Sequence, residues 1–285
     1  MELNSDQPLL AARLTVGYPN KPGILKNLSL DIRPGEIVGL VGESGSGKST
    51  LAMAILRLLD RKNARVAGEI LFDGEDLLNK NEKQLREIRG RKISVVLQSP
   101  LTSLNPALKI GTQLREAWRA HAKTNVEEAA NAIRSAMASV SLPSDDEFLS
   151  RRASQLSVGQ GQRVTIAMAI LHKPALLIAD EATSALDTIT QAEILQLFRR
   201  LNRELGTAIL YISHDLLSVA AICRRVAILN QGEIVECNTP EAIFTAPQHV
   251  YTRRLVAALP KRPSVGENTA EFASLERLVT ADFSS

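Results

Sequence analysis

Gly42-Glu43-Ser44-Gly45-Ser46-Gly47-Lys48-Ser49-Thr50 is the stretch that decides the fold. It fits the pattern GxxxxGK[ST], follows the apolar run Ile37 to Val41, and opens an apolar segment, Thr50 to Leu59, read as a helix. Glycines let the backbone curl so that several N–H groups point inward at phosphate oxygens, and the following helix adds its positive end. Lys48 then reaches the β and γ phosphates, and Ser49 offers a hydroxyl to Mg²⁺. A Gly/Ser loop that merely turns the chain is the bland alternative. A chance match in a chain of this length is on the order of one in a hundred, and the strand before it and helix after it lower that further.

Working outward, short apolar runs bounded by Gly, Pro or Asp recur at Ile93 to Leu97, Ala175 to Ala179, Ala208 to Ile212 and Val226 to Leu229. They read as buried strands. Between them lie helical patterns such as Ile194, Leu197, Phe198, Leu201 and Leu205, which share one helix face. Strands alternating with helices predict a mostly parallel sheet wound by right-handed crossovers, an α/β fold. The first thirty-odd residues and Gly68 to Asp73 predict a small antiparallel sheet, with turns at Tyr18-Pro19-Asn20 and Arg33-Pro34-Gly35. Few turn formers interrupt Ile110 to Met137, so residues 99–171 read as a mainly helical insertion. The tail from Lys261 reads as weakly ordered or docked late.

Composition excludes several classes. With 285 residues and 45% hydrophobic content the chain can bury a substantial core. Its net charge of +3 argues against a protein that coats nucleic acid. No apolar stretch reaches the roughly 18 residues of a membrane span, and the N-terminus lacks a signal-peptide pattern. Cys223 and Cys237 form no CxxC pair, so the expectation is a reducing, cytosolic setting without a disulfide framework.

Ala175-Leu176-Leu177-Ile178-Ala179-Asp180-Glu181 is an apolar strand ending in two acids. Carboxylates at a strand's C-terminal end lie at the crevice where open α/β sheets bind ligands. There Asp180 would hold Mg²⁺, directly or through water, and Glu181 would orient and polarise the attacking water. Read alone, the segment is equally a strand followed by a solvated acidic turn.

Leu156-Ser157-Val158-Gly159-Gln160 changes that. It resembles the signature motif of ATP-binding subunits of ABC transporters, and other elements of that superfamily stand around it in order. They are Gln98 after the strand ending at Leu97, Ser184-Ala185-Leu186-Asp187 after Glu181, His214 after the strand ending at Ile212, and Tyr18. The resemblance covers nearly the whole chain. It implies a phosphate-loop (RecA-like), mostly parallel sheet with an antiparallel β subdomain and a helical signature subdomain. It also implies ATP and Mg²⁺ as ligands: Gly42 to Thr50 on the phosphates, Tyr18 stacked on adenine, Gln98 ligating Mg²⁺ with Ser49 and Asp180 as the site closes, and His214 on the γ-phosphate or the water. Ser157, Gly159 and Gln160, at the start of a helix expected near Gln162, would cap the nucleotide of a second subunit, with Asp187 alongside. Read by itself Ser157 is a plain helix cap and Tyr18 beside Pro19 an ordinary turn tyrosine; their place among the other elements favours the functional reading.

Val158 stands where the commonest signature has Gly, Gly161 where a basic residue is usual, and Ala182 where Pro is usual. The first leaves the local backbone less free to approach phosphate. Gln98 to Pro106 and Phe244 to Thr252 resemble segments of peptide and nickel importer ATPases. The resemblance implies an ATP-hydrolysing import subunit for oligopeptides or dipeptides, with nickel or metallophore import as the alternative. Many peptide members carry a late cysteine cluster with an iron–sulfur group; no Cys follows Cys237 here, so none is expected. Implied partners are integral membrane permease subunits, a second ATP-binding subunit placed head to tail (identical or related), and a substrate-binding protein, with no nucleic acid. The implied location is the cytoplasmic face of the inner membrane. The expected organisation is a nucleotide-binding domain over residues 1–240 and a C-terminal extension over 241–285. A soluble ABC ATPase and a small-molecule kinase are the rival classes; the first normally shows a coiled-coil insertion or two cassettes, and the second leaves the signature and His214 unexplained.

Overall fold

Two kinds of apolar pattern build two sheets in the computed structural model, which describes residues 7–19, 21–59, 63–122 and 125–259. β1 (Leu10–Tyr18) pairs antiparallel with both β2 (Lys21–Ile32) and β4 (Arg65–Phe72), and β5 (Glu75–Asp76) edges β4. The second sheet contains β3 (Ile37–Val41), β6 (Ile93–Val96), β7 (Leu176–Asp180), β8 (Ala208–Ser213), β9 (Arg225–Asn230) and β10 (Glu233–Asn238). Its spatial order is β10-β9-β3-β8-β7-β6, parallel except for the β9–β10 hairpin. β3, β7 and β8 are buried at every position, as strands covered on both faces must be.

The sheet's two faces feed two cores. On one, Leu40, Ile178, Leu210 and Ile212 meet Leu14, Leu28 and Ile32 of the antiparallel sheet together with Leu51 and Ile55 of α1 (Lys48–Ile55). After α2 (Glu82–Ile88) and β6, the chain runs through α3 (Pro100–Ser103), α4 (Ile110–Arg119), α5 (Val126–Ser139), α6 (Asp146–Ser150) and α7 (Val158–Ile170). These helices, with α8 (Thr188–Leu205) and α9 (Leu216–Ile222), pack on the other face, where Phe198, Leu201 and Tyr211 are buried. α10 (Pro240–Thr245) and α11 (Val250–Ala257) follow β10. Among the described residues no helix is long and apolar enough to cross a membrane.

The five strands expected of the parallel sheet agree with the sequence expectation to within about one residue, β4 starts three residues before the expected Gly68, and two helix boundaries differ. α1 starts at Lys48 and ends at Ile55, instead of running from Thr50 to Leu59. Arg57 takes a left-handed φ of 54°, while Leu58 N–H donates to the Met53 carbonyl and Arg57 N–H to that of Ala54. That is the Schellman ending normally marked by Gly. α7 starts at Val158, not near Gln162, because Ser157 and Gln160 form a reciprocal capping box. The tail from Lys261 and Asn20 of the expected turn lie outside the described residues.

Candidate functional site

The loop between β3 and α1 closes tightly over Lys48. Its ammonium, almost fully buried, donates to the carbonyls of Gly42 (2.7 Å) and Glu43 (2.9 Å). A Cβ at Gly42 would sit 2.2 Å from the Leu229 carbonyl oxygen of β9, and Gly47 has φ 113°, so neither position accepts a side chain without strain. The tip of the β9–β10 hairpin braces the loop from outside: Gly232 N–H donates to the Ser46 carbonyl. Glu43, Ser44, Gly45 and Ser49 are exposed, Thr50 is half-buried, and Ser46, Gly47 and Lys48 are buried.

Next to Lys48, at the end of β7, lies Asp180. It is buried, it takes a hydrogen bond from the Ser49 side chain, and its Oδ1 has no partner. Burial pushes its carboxyl above the ordinary range, helped by neighbouring Glu181; Ser49 and Lys48 pull it back. Burial likewise lowers the Lys48 ammonium, opposed by Glu181 and Asp180. Glu181 has a left-handed φ of 50°, a conformation disfavoured for a residue with a side chain and concentrated at functional sites. Its N–H still donates to the Ile212 carbonyl, so the turn leaves the sheet while the carboxylate reaches toward His214. His214 Nδ1 lies 3.6 Å from Glu181 Oε1, just beyond hydrogen-bond length. The histidine is exposed at the end of β8, and the following Asp215 caps α9 through the Leu217 and Ser218 N–H groups.

The structure therefore brings Lys48, Ser49, Asp180, Glu181 and His214 to one end of the parallel strands. Gln98, expected beside Mg²⁺, is exposed on the segment between β6 and α3. Tyr18 ends β1, half-buried against the core under the antiparallel sheet. Ser157 and Gln160 spend their polar groups on each other. Gly159 meets the start of α8, where a Cβ would come within 2.9 Å of Thr190 Cγ2. Asp187 caps that same helix, accepting from both the N–H and the hydroxyl of Thr190, which holds its carboxyl below the usual range. Signature and Asp187 thus form one packed unit.

ATP and Mg²⁺ are tested by the donor set. A buried ammonium paired only with carbonyls, an orphaned buried carboxylate oxygen at Asp180, an orphaned buried hydroxyl at Ser46 and a backbone with no room for a Cβ at Gly42 or Gly47 all suit a phosphate chain with its cation. Among the described residues no cluster of three or more His, Cys, Asp or Glu could hold a metal alone, so Mg²⁺ here would lean on Ser49, Asp180 and phosphate oxygens. The sequence did not foretell the brace from Gly232 or the hydrogen bond that Glu43 N–H donates to the Tyr251 hydroxyl of α11. The only sequence signal near the latter was the Phe244 to Thr252 segment, which carried no assigned role.

Comparison with known proteins agrees with this geometry. A family model described as ABC transporter matches residues 25–184. The peptidoglycan transport ATP-binding protein YejF of Agrobacterium fabrum is 43% identical over 266 residues, 92% of this chain and 49% of that protein. The glutathione import ATP-binding protein GsiA of Shigella flexneri is 40% identical over 269 residues, 91% of this chain and 43% of that protein. The chain thus spans about half the length of these curated relatives. Among solved structures, CbiO1 of Clostridium perfringens, part of an ABC transporter complex, superimposes with TM-score 0.74 at 26% identity, covering 90% of this chain and 97% of its own. A dimeric post-hydrolysis state of the ATP-binding cassette MJ0796 with ADP and Pi gives 0.70 at 29% identity, covering 81% and 98%. With the phosphate loop, acid pair and signature on one such fold, the chain belongs to the ABC transporter family, as an ATP-binding member.

Proposed function

We propose that the chain hydrolyses ATP to drive import of short peptides or peptide-bearing molecules through membrane permeases. The observation that carries the hydrolytic part is the cluster of buried Lys48, orphaned Asp180 and Glu181 facing His214 at the ends of β7 and β8. Mg²⁺ held by Ser49 and Asp180, with Gln98 joining on closure, would neutralise charge on the phosphate oxygens. Lys48 exchanges the Gly42 and Glu43 carbonyls for phosphate, while loop N–H groups from Gly42 to Thr50 orient it. Glu181 receives the proton of the attacking water, and His214 hydrogen-bonds the γ-phosphate or that water. Tyr18 takes the adenine face. Ser157, Gly159 and Gln160, with Asp187, act on the nucleotide of a second subunit.

Peptide cargo is supported by the Gln98 to Pro106 and Phe244 to Thr252 segments and by the relatives named for glutathione, a tripeptide, and for peptidoglycan, which carries peptides. In this reading residues 1–240 are the nucleotide-binding domain, with a helical subdomain over 99–171, and 241–285 an extension. The working assembly is peripheral on the cytoplasmic membrane face, with two permease subunits, a paired ATPase and a substrate-binding protein. The test is Glu181→Gln in the assembled complex: ATP binding stays near wild type while turnover falls 10²- to 10⁴-fold, the range for a lost positioned base. Turnover within threefold of wild type would move the catalytic role elsewhere.

A further inference from the structure

The phosphate loop is tied to α11 through the Tyr251 hydroxyl. Glu43 N–H donates to the Tyr251 hydroxyl of α11 at 3.2 Å, although 208 residues separate the two. The same peptide unit contributes the Gly42 carbonyl, which accepts from Lys48 Nζ at 2.7 Å. A peptide group is planar and turns as one body. Tyr251 therefore grips one edge of the plate whose other edge holds the Lys48 ammonium.

Tyr251 is itself held firmly. Its ring is buried, with 9% of the residue exposed, and the next residue, Thr252, is fully buried. The turn into α11 is pinned to β10, where the Glu236 carboxylate accepts from the N–H groups of Gln248 and His249, both at 2.9 Å. His249 Nδ1 then accepts from Tyr251 N–H at 3.2 Å, capping the helix on the residue that reaches the loop. Ile243 of α10 anchors the preceding segment in the core. A rigid path thus runs from β10 through the turn and Tyr251 to the Gly42–Glu43 peptide.

We propose that Tyr251 is a positioning residue for nucleotide binding, through which the C-terminal extension sets the posture of the phosphate loop and its lysine; this rests on the reading that Gly42 to Thr50 holds the phosphates of ATP. When Lys48 turns from the two carbonyls to a phosphate, the Gly42–Glu43 peptide loses the donor on its carbonyl side. The Tyr251 hydroxyl then keeps the plate from swinging, so the loop stays open to the ligand. Without that hydroxyl, the plate follows the ammonium and the loop closes on Lys48 instead of on phosphate.

The test is calorimetric titration of the full chain with MgADP, using wild type, Tyr251→Phe, Lys48→Ala and the double variant. Phenylalanine keeps the ring and removes only the hydroxyl. Tyr251→Phe is expected to raise Kd about fivefold, as loss of one hydrogen bond to a buried group would, and to add much less in the Lys48→Ala background, because the hydroxyl acts through that lysine. A Kd unchanged in Tyr251→Phe overturns the proposal, and so does an equal loss in both backgrounds, which would mark a merely structural staple. If Tyr251→Phe does not fold, Glu236→Gln loosens the pinned turn and should raise Kd two- to threefold; unchanged affinity there also overturns it. Failure of the unmutated chain to bind MgADP removes the reading of the site and this inference with it, whereas binding by wild type with Tyr251→Phe unaltered removes only the role of Tyr251.

Discussion

At the scale of single residues the site is built at the expense of stability. Asp180 is buried with one oxygen unpartnered, and burial disfavours its charged form. A buried polar group left unsatisfied costs about 1–3 kcal/mol and more when it is charged, and asparagine removes the charge. Asp180→Asn should therefore raise the ligand-free melting temperature by roughly 2–4 °C, the shift of about 1 kcal/mol in a domain this large, while removing the extra stabilisation that MgATP gives over ATP in EDTA. Differential scanning calorimetry in the two buffers reads both; a variant less stable than wild type without ligand would show that Asp180 is structural. Ser157 poses a different problem, since its hydroxyl serves as an N-cap in this chain and is proposed as a ligand for another subunit's nucleotide. Ser157→Asp separates the two, because aspartate caps as well as serine but sets a negative charge against a γ-phosphate. Melting should move by less than about 2 °C while hydrolysis in the assembled complex falls at least tenfold. Normal hydrolysis would leave Ser157 a cap and nothing more.

At the scale of elements, α4 and the end of α7 are joined by rings. Trp118 stacks on His172 with centroids 4.7 Å apart and planes 11° from parallel, and His121 meets His172 edge-on at 5.3 Å. Burial lowers the pKa of both histidines; Arg91 lowers each further, while Glu87 opposes the shift at His121 and the Ala117 carbonyl opposes it at His172. A lowered folded pKa means that the native state binds fewer protons than the unfolded chain. The stabilisation is then fully present above the ordinary histidine value of about 6.5 and is lost as pH falls through the lowered folded values. His172→Phe keeps a ring on Trp118 and removes one titrating group, so its melting temperature should decline less than that of wild type between pH 7.5 and 5.5; parallel declines would place the acid sensitivity elsewhere. None of this was visible in the sequence, where His121 and His172 lie far apart, each just past the end of a helix. The phosphate loop and the acid-tipped strand were legible because each obeys a local rule, glycines for a curled backbone and continuous apolar residues for a strand covered on both faces. The end of α1 was hidden because Arg57 takes the turn that Gly usually marks, and the start of α7 because Gly159 and Gly161 mask a helix that the Ser157–Gln160 box initiates. The Tyr251 contact has no local signal, since nothing in periodicity reports a hydrogen bond across 208 positions.

At the scale of the whole molecule, the two halves of the proposed chemistry sit on different elements of the chain. Lys48 engages Gly42 and Glu43 beside Asp180, whereas Ser157 and Gly159 belong to α7 where it packs on α8 beside Asp187. A helix start can act on a phosphate only if a ligand is brought to it; in the proposed reading that ligand lies on the phosphate loop of another subunit. The MJ0796 cassette, similar to this chain over 98% of its own length, is described as a dimer with ADP and Pi. In a pair of related but distinct ATPases, this chain's Lys48 and Glu181 would serve one site and its Ser157 the other. Lys48→Ala here combined with a signature mutation in the partner then disables a single site, because both changes fall on the same nucleotide. Lys48→Ala combined with Ser157→Arg in this chain disables both sites. ATP hydrolysis by the assembled complex should therefore remain measurable in the first double mutant and drop to background in the second. The reverse order, activity kept in the second double mutant and lost in the first, would mean that each chain completes its own site; equal residual rates also overturn the composite arrangement, as does full activity from a dilute, strictly monomeric preparation.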